Sequence, residues 1–440
     1  MVHYDSWLNP ENKMCFCSIK KFPGLFPLLV LALCSVAPVC RGRELPVAEP
    51  AEVGMSAAKL ALIGPAVQKL VVNNQVPGAV VMVARHGKIV YFEAMGESNL
   101  ATHQPMKRDA IMRFYSMTKP ITSVAVMMLV EEGKLKLDDP IANYLPEFKD
   151  AQVFIGTTNR GFVTEPVRRG PTVRDLLRHT GGLTYGFMGN TPVDKAYNAA
   201  GVLARSNTLA DLTRKVASLP LLYQPGTRWN YSVSADVLAR MVEVVSGKSF
   251  DEFLTERVFK PLDMHDTGFF VPPDQRIRLA DVYGPDGDTL KVSDLPVTAG
   301  FLERPRLFSG GGGLVSTARD YMRFCQMMAA GGELDGKRLL QRATIQIMTA
   351  NQLPKQAFPI GFGDVPIPGV GFGLGFSVQV EPGIFSAGHV GEYGWSGLAS
   401  TSFWISPKDD VVVVVLQQFM PYSMLLDQTI KPLVYAAITN

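Results

Sequence analysis

The chain has 440 residues, of which 47% are hydrophobic and 19% charged, and its formal net charge is +3. This composition supplies a large apolar core and excludes a mostly disordered chain. The small net charge, with arginines scattered rather than clustered, argues against a nucleic-acid-binding protein. The length suggests two domains, or one large domain that carries an insertion.

Residues 1–42 have the order of a secretory signal peptide and leader. Lys20 and Lys21 precede the apolar run FPGLFPLLVLALCSVAPV, which is too short for a comfortable membrane span. We therefore expect a secreted or periplasmic protein, with no cleavage site predicted. A lipid anchor on Cys34 or Cys40 is a weaker alternative, because bulky residues precede both. Removal of the signal leaves Cys325 with no partner for an internal disulfide.

The segments after the leader alternate between helical and β patterns. Residues 56–74 have helical spacing behind a serine, which predicts a helix. GAVVMVARHGKIVYFEAMG follows, and its two β-rich runs meet at His86-Gly87, which predicts an antiparallel hairpin. SMTKPITSVAVMMLVEEGKLKL then predicts an apolar helix that ends near Gly133.

The distribution of these patterns along the chain predicts an α+β fold. Residues 151–299 are mainly helical, whereas β patterns return later in GFGLGFSVQV, LASTSFWIS and DVVVVVLQQ. The simplest packing joins residues 43–150 and 300–440 in one antiparallel sheet flanked by helices, with residues 151–299 as an inserted all-α domain. We expect a catalytic cleft between the two parts.

FYSMTKPIT, residues 114–122, contains a serine and a lysine three positions apart. On a helix, Ser116 and Lys119 share a face, and a neutral lysine can activate a serine hydroxyl. Pro120 is tolerated only in a first helical turn, so it predicts a helix start close to Ser116, whose free N–H could then face an oxyanion. The pattern is also common by chance, and an ordinary polar helix start is the alternative.

A second candidate follows a Pro-Gly turn in QPGTRWNYSVSADVLARMVEVVSG. Tyr231 lies just before a predicted helix and below Trp229, where it could point into a cleft. As tyrosinate, or as a relay to a neutral lysine, it could take the serine proton and return it to the leaving group. A core tyrosine with a hydrogen-bonded hydroxyl is the structural alternative.

Together with a late Trp395-Ser396-Gly397, these residues make the chain similar to the serine β-lactamase superfamily. The likeness is greatest to class C β-lactamases and family VIII carboxylesterases, and it spans roughly residues 50–435. It implies that Ser116 is the acylated nucleophile and that Lys119 and Tyr231 form the proton-transfer pair. It also implies an oxyanion hole formed by the backbone N–H groups of Ser116 and Leu398.

The chain departs from the class C pattern at two positions. Val233 stands where class C β-lactamases have asparagine, and Trp395 where they have lysine, so the cleft loses polar groups suited to an anionic lactam. We therefore predict a carboxylesterase for small esters with weak β-lactamase activity. A D-amino-acid peptidase, amidase or acyltransferase of the same fold is the first alternative, and a non-catalytic cell-wall-peptide-binding protein is the second.

Other residues are predicted at the cleft with less support from the pattern. Tyr115, Trp395 and His389 are candidates for substrate contact, and Ser396 and Gly397 would contact substrate through the late strand. His179 ends a predicted helix, where a histidine usually caps carbonyl groups. We find no metal-ligand spacing and predict neither a metal nor a cofactor, with a small ester as the only partner and the oligomeric state left open.

Overall fold

The structure is a computed structural model that describes residues 44–363, 365–383 and 388–439. The predicted signal peptide and most of the leader therefore lie outside the described residues. Within the described ranges, no helix combines the length and the apolar character that a membrane crossing needs.

The helices, in chain order, are α1 (Ala57–Leu60), α2 (Ile63–Val72), α3 (Thr118–Glu131), α4 (Val173–Leu177), α5 (Pro192–Ala199), α6 (Leu209–Ala217), α7 (Ser234–Ser246), α8 (Phe250–Leu254), α9 (Ala318–Ala329), α10 (Arg342–Thr349) and α11 (Leu425–Ala436). The strands are β1 (Gly78–Arg85), β2 (Lys88–Asn99), β3 (Gln104–Pro105), β4 (Met112–Arg113), β5 (Gln152–Thr158), β6 (Gly161–Pro166), β7 (Tyr283–Asp286), β8 (Thr289–Val292), β9 (Val315–Ser316), β10 (Glu333–Leu334), β11 (Lys337–Arg338), β12 (Gly361–Phe362), β13 (Val365–Pro366), β14 (Val370–Phe372), β15 (Ser377–Gln379), β16 (Tyr393–Ser396), β17 (Ser402–Ser406) and β18 (Val411–Leu416).

The main sheet joins strands from both parts of the chain, as predicted. Its eight strands in the described part have the order β14-β15-β16-β17-β18-β1-β2-β3, and all neighbours are antiparallel. β1 lies beside β18, with Val80 opposite Leu416. The predicted α+β fold with an antiparallel sheet is therefore confirmed.

The central strands are buried on both faces, which explains their uninterrupted apolar sequence. Every residue of β1 is buried. Because side chains alternate along a strand, Val80 and Met82 pack into one apolar cluster with α3, whereas Val81 and Val83 pack into another with α2 and α11. Helices therefore cover both faces of the sheet, and the first cluster continues into α4, α6 and α7.

Two local predictions can be compared with the observed elements. The hairpin at His86-Gly87 is confirmed, and both residues have positive φ (51° and 73°), as a tight two-residue turn requires. The single helix predicted over residues 56–74 is wrong in detail. It is divided into α1 and α2, and the Ser56 side chain accepts a hydrogen bond from the Lys59 N–H at the start of α1.

Residues 151–299 contain α4 to α8, but they also form two hairpins that the sequence did not predict. β5 pairs with β6, and β7 pairs with β8. Most residues of β5 and β6 are partly or fully exposed, so their sequence lacks the alternation of a half-buried strand. This region is therefore mainly helical rather than all-α.

Candidate active site

Ser116 lies in a short 3₁₀ turn, Tyr115–Met117, that leads directly into α3. Pro120 is the third residue of α3, so the predicted helix start close to Ser116 is confirmed. Tyr115 has a positive φ of 42°, which is unusual for a bulky residue and stores about 1–3 kcal/mol of backbone strain. This backbone geometry places Ser116 at the mouth of a cleft while the following helix is buried.

Lys119 is buried beside Ser116, one helical turn further along. Its Nζ lies 3.1 Å from Ser116 Oγ and donates to the Gly311 carbonyl at 2.6 Å. Only 2% of the residue is exposed, and burial lowers the pKa of Lys119 to about 7, although the charge of Asp236 acts in the opposite direction. A large fraction of Lys119 is therefore neutral at neutral pH, as a general base requires.

Tyr231 lies close to both Ser116 and Lys119, just before α7. Its hydroxyl accepts a hydrogen bond from Trp395 Nε1 at 3.3 Å, and Lys119 Nζ is 4.5 Å from the centroid of its ring. Burial raises the pKa of Tyr231 above its usual value, while hydrogen bonds to Ser116, Trp395 and Tyr185 act in the opposite direction. The hydroxyl is therefore protonated at neutral pH, which favours a relay over a tyrosinate base.

The late motif forms a wall of the cleft close to the segment that carries Ser116. Trp395 and Ser396 end β16, and Gly397 follows. A Cβ at Gly397 would lie 2.4 Å from the carbonyl oxygen of Phe114, so only glycine allows this strand end to approach the segment before Ser116 so closely. Trp395 also packs against Tyr231, with 5.5 Å between ring centroids.

The hydrogen bonds of the backbone N–H groups bear on the predicted oxyanion hole. The Gly397 N–H donates to the Thr401 carbonyl at 2.7 Å, so it is already occupied. In contrast, no hydrogen bond joins the N–H of Ser116 or of Leu398 to another described residue. This arrangement is consistent with Leu398, rather than Gly397, as the second donor.

Of the remaining predicted substrate-binding residues, all but His389 line the cleft. Tyr115, Ser396 and Gly397 line the cleft with Trp395, and the Tyr115 hydroxyl donates to the Val297 carbonyl at 3.2 Å. His389 is not among the described residues that line the cleft. Its Nδ1 lies 2.6 Å from Asp409 Oδ2 and its ring packs against Tyr435, so its contacts are with these residues rather than with the cleft.

His179 caps α4 through its backbone, as expected, because it has a positive φ of 56° and its N–H donates to the Leu176 carbonyl at 3.2 Å, whereas its side chain points elsewhere. Its ring is buried against Tyr231, with 4.9 Å between centroids, and its Nδ1 lies 3.2 Å from Ser232 Oγ. Burial and the nearby Lys119 hold the pKa of His179 well below its usual value. His179 is therefore neutral, and it supports Tyr231 rather than forming a Ser-His-Asp triad.

The cleft has a volume of about 1040 Å³, at the upper end of the range for small-molecule sites. It contains Ser116, Tyr231 and Trp395, and its walls are mostly apolar. Arg205 and Lys431 are cations in its lining, but Lys431 is paired with Glu392. The apolar walls include Phe187, Leu203, Phe301, Leu307, Ile360 and Val370.

The sequence analysis missed Asp236 and Gly311, both of which contact the lysine site. Asp236 lies in the first turn of α7 and is fully buried, and its Oδ1 accepts from the Gly311 N–H at 3.1 Å. The sequence does contain signals for both residues: a carboxylate five residues after Tyr231, and a run of four glycines. In the described ranges, no group of three or more His, Cys, Asp or Glu side chains could hold a metal ion.

Comparison with known proteins agrees with this geometry. The Beta-lactamase family model matches residues 63–429. Protein Rv1367c from Mycobacterium tuberculosis is 35% identical over 350 residues, which cover 78% of this chain and 86% of that protein. Esterase EstB from Burkholderia gladioli is 30% identical over 389 residues, which cover 84% of this chain and 93% of that protein.

Solved structures of other proteins have folds similar to that of this chain. EstCE1, described as a hydrolase with promiscuous acyltransferase activity, is 28% identical with a TM-score of 0.74, and the match covers 86% of this chain and 99% of that one. The family model covers most of the chain, and the similar proteins with named activities include esterases, a hydrolase and acyltransferases. The chain therefore belongs to the Beta-lactamase family, as a serine hydrolase of the group that includes esterases and acyltransferases.

Proposed function

We propose that the protein is a carboxylesterase that forms an acyl-enzyme on Ser116. The observation that carries the proposal is the position of Lys119, which is buried, has a pKa of about 7, and lies 3.1 Å from Ser116 Oγ. A lysine in this state can accept the serine proton at neutral pH, whereas an exposed lysine would be charged.

The proposed reaction has two steps. Ser116 Oγ attacks the ester carbonyl and its proton passes to Lys119, while the N–H groups of Ser116 and Leu398 stabilise the oxyanion. Collapse of the tetrahedral intermediate breaks the bond to the alcohol, which leaves with a proton relayed through the Tyr231 hydroxyl. Water then attacks the acyl-enzyme carbonyl and gives its proton to Lys119. The bond to Ser116 Oγ breaks, Oγ regains a proton through Tyr231, and the carboxylic acid is released.

The character of the cleft supports a neutral ester as substrate. Trp395 lines the cleft where class C β-lactamases have a lysine, so a cation that suits an anionic lactam is replaced by an apolar ring. Val233, which stands where they have an asparagine, is fully buried and is not among the described residues that line the cleft. The walls of the cleft are mostly apolar. The volume exceeds what a small ester needs, so the proposal extends to esters with a bulky apolar group.

Acyl transfer is a second candidate, favoured by the open cleft beside Ser116 and by the transferase activity described for EstCE1. An apolar alcohol bound in the cleft could replace water as the acceptor of the acyl group. Adding alcohols of increasing size to the assay would then raise the yield of new ester relative to free acid.

Rates on p-nitrophenyl esters of increasing acyl length, with nitrocefin alongside, test the proposed function. We expect p-nitrophenyl butyrate to be hydrolysed faster than nitrocefin, and a fluorophosphonate probe to label the wild type. Faster hydrolysis of nitrocefin would reject the ester preference. Label that survives Ser116→Ala would reject Ser116 as nucleophile, and an unlabelled wild type would favour a non-catalytic binding protein.

A further inference from the structure

Asp236 is buried between α7 and the loop that contacts Lys119, and no step of the proposed reaction uses it. One carboxylate oxygen, Oδ1, accepts hydrogen bonds from Ser309 Oγ at 2.5 Å and from the Gly311 N–H at 3.1 Å. The other oxygen, Oδ2, has no hydrogen-bond partner among the described residues. A buried carboxylate with a free oxygen destabilises the fold, so its presence needs an explanation.

The loop that Asp236 holds is also the loop that holds the lysine. The Gly311 peptide donates its N–H to Asp236 and, through its carbonyl, accepts from Lys119 Nζ at 2.6 Å. The same loop is tied to α3 at both sides of this point, because Gly310 O accepts from Thr122 Oγ1 and the Leu314 N–H donates to Thr118 Oγ1. Gly311 therefore links Asp236 to Lys119.

The space around Gly311 leaves little freedom for this link. A Cβ on Gly311 would lie 2.5 Å from Asp236 Oδ2 and 2.8 Å from the Tyr185 hydroxyl. Tyr185 in turn interacts with the Tyr231 hydroxyl and lies with its ring centroid 5.1 Å from Lys119 Nζ. The carboxylate is thus packed against the groups that surround the lysine, although it makes no ion pair with it.

We propose that Asp236 is a positioning residue, which holds the Ser309–Gly313 loop so that the Gly311 carbonyl keeps the Lys119 amine beside Ser116. This inference rests on the proposed function, since it assumes that Lys119 is the base. Removal of the side chain would release the loop and misplace the amine. A displacement of about 1 Å at such a group can reduce a rate about 10²-fold.

The negative charge of Asp236 gives this role a signature that a purely structural residue would lack. Asp236 raises the pKa of Lys119 against the larger effect of burial. Burial raises the pKa of Asp236 itself, whereas the hydrogen bonds from Ser309 and Gly311 and the charge of Lys119 lower it. The other titratable groups that face Lys119 are His179, Tyr185 and Tyr231, and burial favours the neutral form of each. Loss of the charge at residue 236 should therefore move the lysine titration to lower pH.

The experiment measures the rate at which a fluorophosphonate labels Ser116, from pH 5 to 9, in the full chain. Asp236→Asn keeps an oxygen acceptor for Ser309 and Gly311, so we expect the labelling rate at high pH, the plateau, to stay within a few-fold of wild type. The acidic limb, where the labelling rate falls as Lys119 is protonated, should lie about one pH unit lower. Asp236→Ala loses the anchor, and we expect a plateau about 10²-fold lower. Thermal melts establish that each variant is folded.

Asp320→Asn is the matched control. Asp320 is another buried carboxylate, on α9, and it accepts from the Asp266 N–H and Thr267 Oγ1 away from the lysine. We expect it to change the melting temperature but not the acidic limb. If Asp236 is neutralised and the limb does not move, or if Asp236→Ala keeps the wild-type plateau, the inference is rejected. An unlabelled wild type would instead reject the proposed function itself.

If Asp236→Asn does not fold, Ser309→Ala provides the second test. It removes one of the two hydrogen bonds to Oδ1 and leaves the charge in place. We expect a plateau several-fold below wild type with an unmoved limb, whereas an unchanged plateau would contradict the anchoring role.

Discussion

Two lysines in this protein lie against aromatic rings, but their polar partners differ. Lys431 forms an ion pair with Glu392, and its Nζ is 5.2 Å from the ring centroid of Trp404. Lys119 Nζ is 4.5 Å from the ring centroid of Tyr231 and bonds to a carbonyl and a hydroxyl. Among the described residues, no carboxylate oxygen lies within ion-pair distance of Lys119.

The difference shows how one residue type can serve structure in one place and chemistry in another. A partly buried cation is stabilised when a carboxylate compensates its charge, as Glu392 does for Lys431. Without a direct partner, burial favours the neutral amine, as it does for Lys119. The lack of a direct carboxylate partner is therefore the feature that supports the proposed role of Lys119 as a base.

The strongest test of this contrast replaces each lysine by methionine. We expect Lys119→Met to lower kcat/KM for p-nitrophenyl butyrate about 10³-fold or more, because the base is lost. Lys431 lines the cleft but takes no part in the proposed proton transfer, so Lys431→Met should change kcat by no more than a few-fold, with any larger effect confined to KM. Comparable losses in the two variants would mean that the rate depends on packing rather than on a neutral amine.

Tyr231→Phe asks whether Lys119 can act without a relay. The ring is retained, so packing against Trp395 and Lys119 is preserved, while the hydroxyl that accepts from Trp395 is lost. We expect kcat to fall about 10²–10³-fold with little change in KM. A variant with near wild-type kcat would show that Lys119 transfers both protons alone.

The same two methionine variants should change stability in opposite directions. The pKa of Lys119 is about 7 in the folded state and about 10.4 in the unfolded state, so the unfolded chain binds more protons between these values. Burial of Lys119 therefore destabilises the fold fully below pH 7, and this effect is lost as the pH rises through the unfolded value.

Lys119→Met should accordingly raise the free energy of unfolding at pH 7 by roughly 1–3 kcal/mol. Lys431→Met should lower it by about 3 kcal/mol, since Glu392 would stay buried without its cation. Urea unfolding of both variants measures the two changes. A decrease for Lys119→Met would contradict an uncompensated burial of this lysine.

The pH profile of the wild type tests the contrast without any substitution. Because the active base is neutral Lys119, whose pKa is about 7, kcat/KM should fall about tenfold per pH unit below pH 7 and level off above it. His179 should not contribute, since burial holds its pKa well below the usual value. A flat profile between pH 5.5 and 8 would contradict the lysine assignment.

The parts of the molecule that could be predicted from sequence depend on local spacing. Ser116 and Lys119 are three positions apart, which is helical spacing, and uninterrupted apolar runs mark β1 and β18. The contact between Lys119 and Gly311 joins residues far apart in the chain, so no spacing reveals it. His389 was placed at the cleft by sequence order alone, whereas Asp409 determines its position.

The pairing of β1 with β18 determines when this enzyme can become active during its synthesis. Val80 lies opposite Leu416, so nearly the whole chain must leave the ribosome before the central strands can meet. β16, which carries Trp395, joins the sheet through β17 and β18. A nascent chain therefore carries Ser116 and Lys119 for most of translation without the cleft wall that completes the proposed site.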